Sequence, residues 1–142
     1  MDKKRIFRIL NRADRDFVAG LASEFKETHA VTVLREPNKT LAMIRLREPV
    51  KESLFYIGEA MVSEAVVELD GTKGAAVSMG DDFDKTLDMA ILDAACNRGV
   101  FHSEEALLAL EQAQREAEEK ENALHLKTMV SFRSMDPEVP AK

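Results

Sequence analysis

The chain has 142 residues, 45% of them hydrophobic, with 20 basic and 26 acidic side chains and a formal charge of −6. A chain of that size hides roughly two-thirds of its unfolded surface and needs no disulfide or metal to stay folded. The acidic balance argues against a surface built to neutralise nucleic-acid phosphates, and a lone cysteine, Cys96, excludes an internal disulfide and predicts a reduced thiol.

The longest uninterrupted apolar run, Ala106 to Leu110, is far short of the ~20 residues of a membrane span. The start, Met1-Asp2-Lys3-Lys4-Arg5-Ile6, has charge but no long apolar stretch behind it, so neither membrane nor secretion is expected and the predicted location is cytoplasmic. With no Trp and one Tyr, Tyr56, the chain lacks the stacking surfaces of single-strand or sugar recognition.

Ile6, Phe7, Ile9, Leu10 and Ala13 recur at helical spacing. Asp14 is placed to cap a second helix with Phe17, Val18, Leu21 and Phe25 as its stripe, and His29 to end it. Lys4, Arg8, Arg12 and Arg15 fall on one side of these first turns: either a solvated face or a dock for an anionic ligand or acidic partner. From Val31 the period becomes two. Val31–Val33 and Leu41–Leu46 predict two strands across the turn Glu36-Pro37-Asn38-Lys39, followed by strands at Ser53–Ile57 and Met61–Leu69. Asp70-Gly71-Thr72-Lys73-Gly74 predicts a hairpin turn, with Ala75–Met79 returning antiparallel.

A helix is predicted up to Arg98, with Asp81, Asp82 and Asp84 at its positive end and Gly99 as its stop. Phe83, Leu87, Ala90, Ile91 and Ala94 make one apolar face; Met89, Leu92 and Cys96 make a second, so this helix is covered twice, once by the sheet and once by another helix or another chain. Asp93 lies at the seam between the faces. A carboxylate there needs a partner, either in its own sheet or loops or on another subunit. Ser103 predicts the cap of a last helix that is polar after Leu110; apolar residues then return at Leu124, Leu126, Met129, Val130 and Phe132. The segment Leu126–Met135 reads as an arm that either folds back or lies on another subunit, and residues 136–142 as a tail.

The fold class expected is α+β: a small antiparallel sheet of about four to five strands, N-terminal helices, a central buried helix at about 83–98 and a C-terminal helix with its arm, in one domain over 1–135. Catalytic chemistry is sparse. Asp82-Phe83-Asp84-Lys85-Thr86-Leu87 after an apolar strand looks like the first motif of haloacid-dehalogenase-type phosphatases, but Gly80-Asp81 separates strand from nucleophile and too little chain follows for repeated βαβ units. His29, His102 and His125 are scattered, and no glycine loop precedes a helix in a phosphate-binding pattern. No catalytic, cofactor-binding or metal residue is assigned.

The succession Phe55-Tyr56-Ile57-Gly58-Glu59, then Asp70-Gly71 and Gly74, then Gly80-Asp81-Asp82, then Ala90-Ile91-Leu92-Asp93-Ala94, and at the end Val130-Ser131-Phe132-Arg133-Ser134-Met135, resembles the PhnG family. Arg5-Ile6-Phe7-Arg8-Ile9-Leu10 fits that family's opening helix. Asp81 stands where the family tends to have Arg, Ser63 replaces Thr, and Ser131 and Arg133 replace Asp and Phe, so no phosphate contact carries over to the turn at Asp81. The resemblance implies a G subunit of the carbon–phosphorus lyase system, without a catalytic residue of its own. Its partners would be an I-like subunit first, then H-, J- and L-like proteins, and MgATP and alkylphosphonate would be substrates of the complex rather than cofactors of this chain. It gives structural roles to Gly58, Glu59, Gly71, Gly80 and Asp93. The expected partner surface comprises Asp93, Met89, Leu92, Leu126, Met129, Val130 and Phe132. A free-standing ligand-binding or regulatory domain is the competing class, and a homodimer of the isolated chain is left open.

Overall fold

A computed structural model describes residues 1–130. Helix α1 (Lys3–Arg12) buries Ile6, Ile9 and Leu10, and α2 (Arg15–Thr28) buries Val18, Ala22 and Phe25. Their two-residue junction is held from below by Lys85, whose Nζ donates to the carbonyls of Asn11 at 2.9 Å and Ala13 at 2.8 Å. Three strands follow, β1 (Val31–Arg47), β2 (Leu54–Leu69) and β3 (Thr72–Met79), in an antiparallel sheet of order β1-β2-β3. Helix α3 (Phe83–Arg98) lies across that sheet, and α4 (Glu104–Thr128) closes the described chain.

The α+β class and the central helix over 83–98 match the sequence-based expectation; among the described residues the strand number is three rather than about four to five. The two short strands expected around Glu36-Pro37-Asn38-Lys39 are one strand. Register shifts between Val33 and Arg35 and between Arg35 and Asn38 absorb the irregular residues. Pro37 is tolerated there because β1 is an edge strand, where a missing N–H breaks no ladder. Ser53–Ile57 and Met61–Leu69 likewise merge, because Ala42, Met43 and Ile44 of β1 pair with Ala60, Glu59 and Gly58. Asp70 and Gly71, both at positive φ (46° and 83°), form the two-residue turn into β3.

Helix α3 is the centre of the core, with Met89, Ala90, Leu92, Ala94 and Ala95 fully buried. One side meets Ala65, Val67, Leu69 and Ala76 of the sheet; the other is roofed by α1 and α2. Its ends are well made. The Asp82 side chain accepts from the Lys85 N–H at 3.0 Å, and Gly99, at φ 79°, returns its N–H to the last turn. Gly74 is not part of the hairpin turn. It sits buried in β3 against α3, where an added Cβ would stand 2.3 Å from the Ala90 carbonyl oxygen and the Ala94 nitrogen. The strand and helix approach closely because that side chain is missing.

Helix α4 behaves differently. At 25 residues it is about 37 Å long, yet Leu107 is its only buried residue. It runs parallel to α1, tied by polar contacts: the N-terminal ammonium to Glu104 at 2.7 Å, Arg5 to Glu111, Arg12 to Glu118 at 3.0 Å, and Gln114 Nε2 to the Ile9 carbonyl at 3.1 Å. The three glutamates recur every seven residues, which keeps them on one face of α4.

Candidate partner-binding surface

The residues with chemical potential are used internally. Asp93 is buried; its Oδ1 pairs with Lys3 Nζ at 2.7 Å, and its Oδ2 accepts from the Ala75 N–H at 3.0 Å and from Asn97 at 3.2 Å. Asp88, also buried on α3, meets Lys26 of α2 at 2.5 Å. Between α3 and the sheet three hydroxyls form a closed set. Thr86 donates to the Asp82 carbonyl at 2.8 Å while Ser63 and Ser78 lie 2.6 and 2.9 Å from its Oγ1, so one hydroxyl hydrogen and two lone pairs are all engaged. Among the described residues no buried side-chain polar atom lacks a partner.

Asp70 joins two ends of the fold. Its Oδ2 meets His29 Nδ1 at 2.7 Å, its Oδ1 accepts from the Ala30 N–H at 2.9 Å, and Arg98 Nη1 donates to its carbonyl. The His29 hydrogen bond, then that of Ala30, hold the Asp70 carboxyl below the usual range. Burial, and secondarily the Asp93 charge, push the Cys96 thiol up to about 11.

The phosphatase-like motif does not assemble. Asp82 is spent on the helix cap, Asp84 pairs with Arg15, Asp81 lies 3.3 Å from Lys39, and the preceding sheet is antiparallel. The basic stripe is divided. Arg12 and Arg15 pair with Glu118 and Asp84 of this chain, while Lys4 and Arg8 are exposed. Arg5, Arg8, Arg12 and Arg115 do share a groove of about 620 Å³ between α1 and α4, with Glu111 and Glu118 interleaved.

Of the residues expected to face a partner, Met89 and Leu92 are fully buried in the chain's own core and Asp93 is bound within it. The second apolar face of α3 is covered by the chain's own N-terminal helices, so this part of the expected surface is corrected. Leu126 in the last turn of α4, Met129 at its end and Val130 are 65–71% exposed; Phe132 lies outside the described residues. Gly58 and Glu59 sit mid-strand in β2, Gly71 in the β2–β3 turn, and Gly80 (φ 89°) where β3 leaves the sheet, its N–H donating to the Met61 carbonyl at 3.2 Å.

Among the described residues a further set of exposed apolar side chains lies on the sheet. Strand β3 pairs only with residues 62–69 of β2, so the outer part of β1 and residues 54–61 of β2 continue as a two-stranded ribbon, about 25 Å long. By register and alternation, Leu41, Met43 and Met61 share the face that carries Ala65 and Val67 further in, and past the register shift at Ile57 so do Tyr56 and Leu54, opposite Arg45 and Arg47; Ile44, Leu46 and Phe55 share the other face, and Ile57 is the extra residue at the shift. All nine are 40–62% exposed. Sequence reading treated these stretches as ordinary strands. The available signal was Leu54-Phe55-Tyr56-Ile57, apolar at successive positions, which in a strand means cover on both faces.

The family model for PhnG, phosphonate metabolism protein PhnG, matches residues 1–136. The chain belongs to the PhnG family. No curated protein sequence matches the chain. PhnG membership places its role in phosphonate metabolism. Among the described residues no helix is long and apolar enough to cross a membrane, and no group of three or more His, Cys, Asp or Glu is placed to hold a metal ion.

Proposed function

We propose that this chain is a non-catalytic subunit of the carbon–phosphorus lyase system. In this reading it supports, with the I, H and L proteins, the transfer of alkylphosphonate to the ribose of MgATP with loss of adenine. An I-like subunit is its first partner, J-like chemistry lies downstream, and the setting is cytoplasmic. The single observation that supports this best is the ribbon. A two-stranded hairpin is marginal in water on its own, and this one exposes apolar residues on both faces. Among the described residues no buried side-chain polar atom lacks a partner, and the acidic groups Asp82, Asp84, Asp88 and Asp93 are taken up by a helix cap or by pairs within the chain. That distribution suits a scaffold that lends surface.

The experiment is co-expression with the family's I subunit, comparing the native chain with the double variant Tyr56→Ser, Ile57→Ser. Both residues are exposed and far along the ribbon from the α3 core. The expected result is an unchanged melting temperature, at least a tenfold loss of co-purified I subunit, and a matching loss of phosphonate-dependent adenine release by the full set of proteins. Co-purification of the variant at native yield would refute the reading.

A further inference from the structure

We infer that the partner adds a β-strand to the free edge of β1 along Asn38–Ile44, and that the added segment alternates apolar with acidic residues. This inference rests on the subunit reading above and specifies its mode of contact. Among the described residues strand β1 pairs with β2 alone, so its other edge carries N–H and C=O groups that no described strand pairs. Its inner part is guarded by the two register irregularities and Pro37, which spoil any template. Beyond them the register runs without interruption from Asn38, opposite Glu64, to Ile44, opposite Gly58. Seven residues make about 23 Å of regular edge. The one charged residue in it, Lys39, leans to Asp81 at 3.3 Å rather than standing guard over the edge.

Charge selects both the edge and the occupant. The outer part of β1 carries Arg45 and Arg47 and no acidic residue, and Arg47 donates to the Glu52 carbonyl rather than to a carboxylate. The opposite edge of the ribbon, along β2, continues the lane of β3, which ends at Gly80 with Asp81 and Asp82 beside it. An acidic segment is repelled there and attracted to β1. A second copy of this chain is the poorer occupant: antiparallel pairing of two β1 edges about Met43 sets Lys39 and Arg47 of one copy against their like in the other. Side-chain pockets then give the alternation. Leu41 and Met43 offer apolar contact on one face of the edge, Ala42 and Ile44 on the other, and strand addition gives affinity through the main chain and specificity through alternate side chains.

The test is hydrogen exchange on the full-length chain, free and in complex with the co-expressed I subunit. An added strand slows consecutive amides across Asn38–Ile44, by about 100-fold or more. A contact made by side chains alone leaves every second amide, those turned away from β2, exchanging as in the free chain. Arg45→Glu is expected to weaken the complex at least tenfold with an unchanged melt, and Arg45→Gln to weaken it less. A complex that forms while the outward amides stay fast overturns strand addition and leaves the subunit reading standing. No complex at all overturns the subunit reading itself. Equal protection in the chain alone, with the mass of a dimer, overturns the choice of occupant in favour of a second copy.

Discussion

Gly74→Ala tests the central packing claim with the smallest possible perturbation. The new methyl carbon would lie 2.3 Å from the Ala90 oxygen and the Ala94 nitrogen and 2.7 Å from the Ala94 Cα, all backbone atoms that no rotamer change can move. Ordinary contact begins at 3.4 Å, so β3 and α3 must part by about an ångström. Overpacking a core typically costs about 1–3 kcal/mol and occasionally more. Here the displacement also opens the seam between α3 and Ala65, Val67 and Ala76, and a gap of that width forfeits roughly a quarter to a half of each dispersion contact it touches. The expected loss is about 3–4 kcal/mol. At about 4 °C per kcal/mol for a domain of this size, that is a fall of about 12–16 °C in melting temperature.

The assay is thermal melting with urea unfolding, and Gly20→Ala serves as its control. Gly20 lies exposed within α2 with nothing within 4 Å of an added Cβ, so there the methyl meets no clash and raises helix propensity. That variant should gain about 0.5–1 kcal/mol. If Gly74→Ala melts within 2 °C of the native chain with an unchanged urea slope, α3 does not lie on β3 as described. If both variants lose stability equally, the effect belongs to glycine replacement in general and not to this contact.

Two further outcomes are expected. The Asp70 carboxyl is held below its ordinary value in the fold, so its contribution is present above the unfolded value near 3.9 and is lost as pH falls through the folded one. Asp70→Asn should therefore flatten the acid side of a plot of melting temperature against pH and leave its shape unchanged above about pH 6. With its thiol pushed up to about 11, Cys96 should resist iodoacetamide at pH 8 in the folded chain and react within minutes in urea; rapid labelling of the folded chain would contradict its position beneath α1.

What the sequence disclosed depended on whether a signal was local. The α3 boundaries follow from an acidic N-terminus and a terminal glycine, both of which act within one turn, and the Asp70-Gly71 turn follows from backbone angles that few residues adopt. Strand continuity was not legible, because Pro37 and Gly58 carry the marks of turns and become strand residues only when β2 or β1 lies alongside. The acceptors of the basic stripe were hidden for a similar reason: Glu111 and Glu118 stand about a hundred residues away from Arg5 and Arg12. Gly74 was misplaced because two glycines three residues apart look like one turn, whereas only the first has a positive φ. The double apolar face of α3 is covered twice as its pattern implies, and of the two covers left open for the second face, a helix of this chain or another chain, the chain's own α1 and α2 supply it.

The identity of that cover bears on where a subunit keeps its binding surface. A buried helix with two apolar faces is a feature of self-sufficiency: once α1 and α2 roof it, burial of Met89 and Leu92 stabilises the chain by roughly 1.5–3 kcal/mol each with no partner present. The ribbon carries the opposite mark. Its apolar residues alternate onto two faces, and neither α3 nor β3 extends far enough to cover them. Folding this hairpin orders some twenty residues at about 1–2 kcal/mol of backbone entropy apiece, with little burial to offset it inside the chain. The missing contribution has to come from outside, which makes the ribbon both the least stable element in isolation and the one whose ordering a partner most directly rewards. The exposed end of α4, with Leu124, Leu126, Met129 and Val130, poses the same problem in helical form, except that helical hydrogen bonds are satisfied within the segment itself. A ribbon edge cannot do that, and so it is the element on which assembly and folding are most tightly coupled.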